Sequence, residues 1–207
     1  MLCLAVLVPA PVLGAGGTIL VLGDSISAGY GLEAREGWVS LLERRLAERP
    51  ERYEVVNASV SGETTGGGLA RLPDALARHR PEVVVLELGG NDGLRGYPIA
   101  RIRGNLARMV ALAREAGARV LLVGMHIPPN YGARYTEAFH ATYREIAERD
   151  GVALVPFLLE GVATDASLMQ GDGIHPTAAA QPLLLENLWP TLLDLLEDAG
   201  ATATAAR

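Results

Sequence analysis

Five short apolar runs recur along the chain, and a longer segment with apolar residues at helical spacing follows each of them. The runs are rich in Val, Ile and Leu and almost uninterrupted, which is typical of strands that are covered on both faces. The pattern predicts strands at 18–22, 53–58, 83–88, 119–125 and 152–155.

The intervening segments carry charged residues on the face opposite the apolar one, which predicts amphipathic helices. Their predicted ranges are 38–49, 69–80, 99–116 and 137–149, and a last helix is predicted from Pro176 to about Asp198. Strands that alternate with helices favour a parallel sheet with right-handed crossovers. The chain is therefore predicted to be an α/β protein, a three-layer α/β/α sandwich around a five-stranded parallel sheet with flavodoxin-like strand order.

The first fifteen residues, MLCLAVLVPAPVLGA, are apolar, uncharged and end in small residues. This composition is typical of the hydrophobic and cleavage regions of a secretory signal. The basic segment that usually precedes them is absent, so we expect a truncated signal at 1–15, with cleavage between Ala10 and Gly16. An apolar arm packed on the fold is the alternative. Residues 16–207 have the size of one domain, and an export signal predicts a periplasmic or secreted protein.

Charge and cysteine content exclude several classes of partner. The chain has 24 acidic against 18 basic residues, a net charge of −6, which argues against binding to nucleic acid or to anionic membranes. Its single cysteine, Cys3, excludes an intrachain disulfide and a thiolate zinc cluster. We expect a monomer that acts on a small molecule and has no stable membrane insertion once the signal is removed.

Polar clusters directly follow the first three predicted strands: GDSIS at 23–27, SVSGET at 59–64 and GGND at 89–92. A fourth cluster, GDGIHP at 171–176, precedes the last helix. The carboxyl ends of parallel strands share one edge of the sheet, and ligands bind there in doubly wound folds. We therefore expect the four clusters to meet in one site.

A serine hydroxyl becomes an effective nucleophile when a histidine takes its proton and an acid orients that histidine. Ser25 is the candidate nucleophile. Asp172 lies three residues before His175, close enough within one turn for its carboxylate to reach Nδ1 while Nε2 faces the serine. The developing oxyanion needs hydrogen-bond donors, and the candidates are the backbone N–H groups of Ser25 and Gly62 and the side-chain amide of Asn91.

GDSIS, Gly62, GGND and DGIHP match, in order, the four signature blocks of the SGNH, or GDSL, hydrolase family, which this chain resembles over most of its length. The segments GLARLP, LELGGNDGLRG and PPNYGARYTEAF make it similar to the bacterial periplasmic branch of thioesterase I, protease I, lysophospholipase and arylesterase activities. The resemblance implies Ser25 as nucleophile, Asp172 as acid, His175 as base, and Ser25, Gly62 and Asn91 as oxyanion donors. It also implies that neither metal nor cofactor is used.

Loops at the same edge supply candidate substrate-binding residues: Asp24, Leu94, Pro128 and Tyr131. Segments 94–98 and 128–135 mix apolar, aromatic and cationic residues and are predicted to wall an acyl site, with ordinary loop packing as the alternative. Asp24 is equally a candidate helix cap. His126 follows the fourth strand and is either a pocket residue or a structural one.

The glycines at 66–68 predict a flexible loop that moves when an acyl chain binds. The leading functional hypothesis is a serine hydrolase of carboxylic esters and thioesters, working through an acyl-enzyme on Ser25. A carbohydrate O-deacetylase or acyltransferase with a short acyl pocket is the enzymatic alternative. A flavodoxin-like small-molecule binding module is the non-enzymatic one, and it leaves the four clusters unexplained.

Overall fold

The predicted strands form one five-stranded sheet in the order β2-β1-β3-β4-β5, in a computed structural model that describes residues 15–205, with side chains at 17–197. Every pairing is parallel. The strands are β1 Ala15–Gly23, β2 Arg52–Asn57, β3 Val83–Glu87, β4 Arg119–Val123 and β5 Ala153–Val155. The predicted flavodoxin-like order is confirmed, while the predicted signal at 1–15 lies, apart from Ala15, outside the described residues.

The central strands are buried on both faces, as their continuous apolar sequences predict. All five residues of β3 are buried, and Ile19, Leu20, Val21 and Leu22 of β1 are fully inaccessible to solvent. Burial of a Val, Leu or Ile side chain contributes about 1.5–3 kcal/mol. The apolar centre of the sheet is therefore the main source of stability, and the polar residues that position the site lie at its carboxyl edge.

Helices cover both faces of the sheet. Helices α2 and α7 pack on each other over one face, and α3, α5 and α6 form the layer on the other. In α2 the side chains of Trp38, Leu42 and Leu46, four residues apart, are fully buried. The helices are α1 Ser25–Ala28, α2 Trp38–Ala47, α3 Thr65–His79, α4 Gly90–Leu94, α5 Ile99–Glu115, α6 Ala133–Asp150 and α7 Gln181–Ala205.

The observed helices differ from the predicted ones at the sheet edge. The short helices α1 and α4 begin within three residues of the ends of β1 and β3 and are too brief to show a helical repeat in the sequence. A 3₁₀ turn, Ala178–Ala180, follows Pro176, so α7 begins later than predicted and extends past Asp198. The two short helices place Ser25 and Asn91 on either side of the point where strand order reverses, which is the binding crevice of such folds.

The predicted flexible loop at 66–68 is wrong, because these glycines form the first turn of α3. The Thr64 hydroxyl caps that turn by accepting a hydrogen bond from the Gly67 N–H at 3.3 Å. A β-carbon on Gly68 would overlap the Leu88 side chain. The glycines therefore let the start of α3 pack closely on the sheet, while movement of this segment on acyl binding stays a prediction.

Among the helices within residues 15–205, none is both long and apolar enough to cross a bilayer.

Candidate active site

The turn that carries Ser25 lies directly after β1. Asp24 caps α1, and its Oδ1 accepts a hydrogen bond from the Ile26 N–H at 3.0 Å. Ser25 is the first residue of that helix and is 8% exposed. Because the first N–H groups of a helix have no partner within the helix, the backbone around Ser25 presents donors at the place where the hydroxyl opens into the crevice.

His175 lies in the turn before α7, with its ring between Ser25 and Asp172. Its Nε2 is 2.8 Å from Ser25 Oγ, and its Nδ1 is 2.6 Å from Asp172 Oδ2. An Nδ1–H that donates to the carboxylate leaves Nε2 free to accept the serine proton. The structure thus brings together the three predicted catalytic side chains in the relative positions that general-base activation requires.

The Asp172 carboxylate is held ionised by its own turn. Its Oδ1 accepts the backbone N–H groups of His175 at 3.0 Å and of Ile174 at 2.9 Å. These hydrogen bonds, together with the one from the His175 ring, lower the pKa of Asp172 to about 2. The carboxylate is therefore charged near neutral pH, where it can accept the Nδ1–H of His175.

Gln170, which the sequence patterns did not single out, fastens the turn of His175 to the turn of Ser25. Its backbone N–H donates to the His175 carbonyl at 2.7 Å. Its side-chain Nε2 donates to the Tyr30 carbonyl at 2.8 Å and to the Pro176 carbonyl at 3.0 Å. The Tyr30 ring in turn lies 4.5 Å from the His175 ring. These contacts hold the His175 ring in a fixed position relative to Ser25.

The predicted oxyanion donors lie on three different segments. Asn91 Nδ2 donates one hydrogen bond to Asp24 Oδ2 at 3.0 Å, and an amide nitrogen carries a second hydrogen that remains for a ligand. Gly62 follows β2 with a φ of 78°, a conformation that favours glycine, and its carbonyl accepts a hydrogen bond from Arg95 at 3.2 Å. Ser25 and Asn91 line the cavity described below, whereas Gly62 is not among its lining residues.

The carboxyl of Glu87, at the end of β3, lies buried beneath the turn that carries Ser25. It is 0% exposed, and its Oε2 accepts hydrogen bonds from the Asp24 N–H at 3.2 Å and the Ser27 hydroxyl at 2.6 Å. Burial raises the pKa of Asp24 to about 6 and that of Glu87 well above its ordinary value. The sequence did contain a signal for this residue, since Glu87 is the one charge in the apolar run VVVLEL.

Glu87→Gln is expected to become more stable relative to the natural protein as pH rises. A carboxyl whose pKa is raised on folding binds more protons in the native state, so native stability falls as pH rises above the unfolded pKa of about 4.5. Glutamine keeps an acceptor for Asp24 and Ser27 but does not ionise. The difference in unfolding free energy should grow by up to about 1.4 kcal/mol per pH unit above pH 4.5, as measured by urea denaturation.

Glu82→Gln serves as the matched control, because Glu82 is partly exposed and paired with Arg119. Its difference from the natural protein should change little over the same range. Glu87→Ala leaves two buried donors without an acceptor and should lose about 2–4 kcal/mol near pH 4.5. This loss should shrink as pH rises, because alanine, like glutamine, does not ionise. If the difference in unfolding free energy between Glu87→Gln and the natural protein did not depend on pH, burial would not raise the pKa of Glu87.

A cavity of about 530 Å³ opens beside Ser25 and His175. Of the predicted substrate-binding residues, Asp24, Leu94 and Pro128 line it. Tyr131 lies in a neighbouring groove instead, where its hydroxyl donates to the Leu94 carbonyl at 2.6 Å. Side chains that the sequence patterns did not indicate complete the apolar wall: Met125, Ile127, Phe157, Leu159, Ala163 and Met169.

These features define the class of the protein. A Ser–His–Asp array, built at the carboxyl edge of a parallel sheet and opening into an apolar cavity, is that of a serine hydrolase. The chain belongs to the GDSL-like lipase/acylhydrolase family, whose model matches residues 21–182. Membership in a family of hydrolases also removes the support for a non-enzymatic, flavodoxin-like binding module.

Similar proteins carry esterase and thioesterase names. The chain is 59% identical to "Esterase TesA" of Pseudomonas aeruginosa, over 86% of this chain and 89% of the relative. It is 44% identical to "Thioesterase 1/protease 1/lysophospholipase L1" of Escherichia coli K12, over 83% of this chain and 81% of the relative. The crystal structure of the psychrotrophic esterase EstA from Pseudoalteromonas sp., inhibited by monoethylphosphonate, is similar with a TM-score of 0.83 and 40% identity, over 87% and 99% of the two chains.

Proposed function

We propose that the protein hydrolyses carboxylic esters and thioesters of apolar acyl chains through an acyl-enzyme on Ser25. The observation that carries this proposal is the hydrogen-bonded array Ser25–His175–Asp172, with distances of 2.8 and 2.6 Å, at the wall of an apolar cavity. A cavity of about 530 Å³ lies within the range of small-molecule pockets. It is much larger than an acetyl group needs.

In the acylation half-reaction, Ser25 Oγ attacks the substrate carbonyl carbon while His175 Nε2 accepts the hydroxyl proton. The negative charge that develops on the carbonyl oxygen is met by the backbone N–H of Ser25, the backbone N–H of Gly62 and the free hydrogen of the Asn91 amide. Asp24, by binding the other hydrogen of that amide, positions it. The imidazolium then gives its proton to the departing alcohol or thiol, and the acyl group remains on Ser25.

In the deacylation half-reaction, His175 accepts a proton from water as the water oxygen attacks the acyl carbon. The same donors meet the second oxyanion. His175 then returns a proton to Ser25 Oγ as the ester bond to the enzyme breaks and the free carboxylic acid leaves. Asp172 remains a carboxylate throughout, because the hydrogen bonds that it accepts lower its pKa to about 2.

The chain length of the acyl group tests this proposal against an O-deacetylase or acyltransferase. Each methylene buried in the cavity contributes about 0.8 kcal/mol, or about fourfold in binding. We therefore expect kcat/KM for p-nitrophenyl octanoate to exceed that for the acetate by at least about tenfold, with octanoyl-CoA and lysophosphatidylcholine also cleaved. Efficient turnover of acetate but not octanoate would contradict a long acyl site, and acetyl transfer to an added sugar would favour the alternative.

We also propose that the enzyme acts as a monomer in the periplasm or outside the cell. The location is supported by the apolar, uncharged segment 1–15 with its small residues. Cell fractionation of the full chain, with N-terminal sequencing of the product, tests the location and should show cleavage between Ala10 and Gly16. Light scattering tests the oligomeric state.

A further inference from the structure

The ring of His126 forms part of the cavity wall and is held between two other rings. On one side it stacks on Phe157, with ring centroids 4.1 Å apart and an angle of 12° between the planes. On the other side the ring of His140, on α6, meets it edge-on at 3.8 Å. His126 and Phe157 both line the cavity that holds Ser25 and His175. His126 therefore presents an aromatic surface to whatever occupies that cavity.

The contact between the two histidines defines where their protons lie. His126 Nε2 and His140 Nε2 are 3.3 Å apart. His140 Nδ1 is buried and has no hydrogen-bond partner among the described residues, so a proton there would be an unsatisfied buried donor. The favourable arrangement is a neutral pair in which His140 Nε2–H donates to His126 Nε2. A further proton on either ring breaks this hydrogen bond or buries a donor without an acceptor.

The surroundings of His126 and His140 also favour the neutral form of both rings. Burial and then the charge of His140 lower the pKa of His126 from its ordinary value of 6.5, opposed by Glu160 on the segment after β5. Burial and then Arg144, on the same helix, lower the pKa of His140. His175 lies across the cavity. The pair is therefore neutral near pH 7 and becomes charged only at acidic pH.

We propose that His126 is a specificity-determining residue for the acyl chain, apolar when it is neutral and stacked on Phe157, and repellent to the chain once the His126–His140 pair takes up a proton. A cation in the cavity wall keeps water bound and removes apolar surface that the chain would cover. The inference rests on the proposed function, because it assigns this cavity to the acyl group. It gives the enzyme a preference for long acyl chains that weakens on acidification.

The test is the ratio of kcat/KM for p-nitrophenyl octanoate to that for the acetate, measured between pH 5 and pH 7.5. Protonation changes that act on the carbonyl chemistry, such as that of Asp24 with its pKa of about 6, affect both esters and cancel in this ratio. Loss of the contact with one or two methylenes should lower the ratio by about fourfold to fifteenfold at pH 5. His126→Phe keeps the stacked ring without a titrating group, so its ratio should stay high and independent of pH.

Two further variants distinguish protonation of the His126–His140 pair from the ionisation of other groups. His140→Ala removes the opposing ring and exposes His126, so the fall in the ratio should begin at higher pH. His79→Gln, at the end of α3, is the matched control and should behave as the natural protein. A ratio independent of pH in the natural protein, or an unchanged fall in His126→Phe, would overturn the inference.

Failure of the proposed function has a different signature, namely that neither ester is hydrolysed. In that case the role of His126 in the cavity wall is still tested by the affinity of 2-decanone, an apolar ketone that cannot be hydrolysed. Calorimetry should show weaker binding at pH 5 than at pH 7.5 in the natural protein and equal binding in His126→Phe. Equal binding at both pH values in the natural protein would overturn the inference.

Discussion

Ser25→Ala is expected to lower kcat for p-nitrophenyl octanoate by at least about 10⁴-fold. Alanine removes the oxygen that would form the acyl-enzyme, and neither His175 nor the oxyanion donors can replace it. The fold should be unaffected, because the hydroxyl contacts only His175 among the described hydrogen-bond partners. Steady-state kinetics with purified protein measures the loss, and thermal unfolding checks the fold.

Ser40→Ala provides the matched control for this substitution. Ser40 lies on α2, where its hydroxyl donates to the Ala34 carbonyl at 2.7 Å, away from the cavity. Its kcat should remain within about twofold of that of the natural protein. Substantial turnover by Ser25→Ala, at more than about a hundredth of the natural rate, would show that another group performs the chemistry.

Asp172→Asn is expected to lower kcat by about 10²–10⁴-fold with a smaller change in KM. An asparagine oxygen can still accept the backbone N–H groups of Ile174 and His175. Its amide nitrogen then faces His175 Nδ1 and favours the tautomer with the proton on Nε2, which cannot accept a proton from Ser25. The loss should therefore exceed what the lost charge alone would cause, and kinetics across pH 5 to 9 measures it.

Asp165→Asn is the control for a carboxylate in the same region. Asp165 accepts the N–H and hydroxyl of Ser167 at 2.9 and 2.6 Å, with no histidine partner. Its rate should change little. Because the pKa of Asp172 is about 2, the acid limb of kcat/KM in the natural enzyme should show no ionisation of Asp172 above pH 4. Wild-type rates in Asp172→Asn would remove Asp172 from the mechanism.

Much of the fold was predictable because burial on both faces leaves a continuous apolar signature. The strands β1, β3 and β4 coincide with their apolar runs to within a few residues, and their order follows from parallel crossovers. The pairing of Asp172 with His175 was predictable for a local reason, since the two residues share one turn. The meeting of Ser25 with His175, 150 positions away in the sequence, was predicted from the carboxyl edge that parallel strands share.

The incorrect and missing predictions all depend on contacts between residues that are distant in the sequence. The glycines at 66–68 have the composition of a flexible loop, and only the approach of Gly68 to Leu88 makes them helical. Tyr131 was expected in the acyl site because of its loop, but its hydrogen bond to Leu94 holds it in the neighbouring groove. Phe157 and Leu159 have the composition of ordinary core residues, and only the position of the segment after β5 brings them to the cavity.

Covalent labelling with a fluorophosphonate, followed by peptide mass spectrometry, tests the central claim most directly. A serine activated by His175 should displace fluoride and keep one phosphonyl group. The account predicts one adduct per chain, located on Ser25, lost in Ser25→Ala and strongly slowed in Asp172→Asn. An adduct on Ser27 or Ser59 instead, or no adduct in an enzyme that still hydrolyses p-nitrophenyl octanoate, would contradict it.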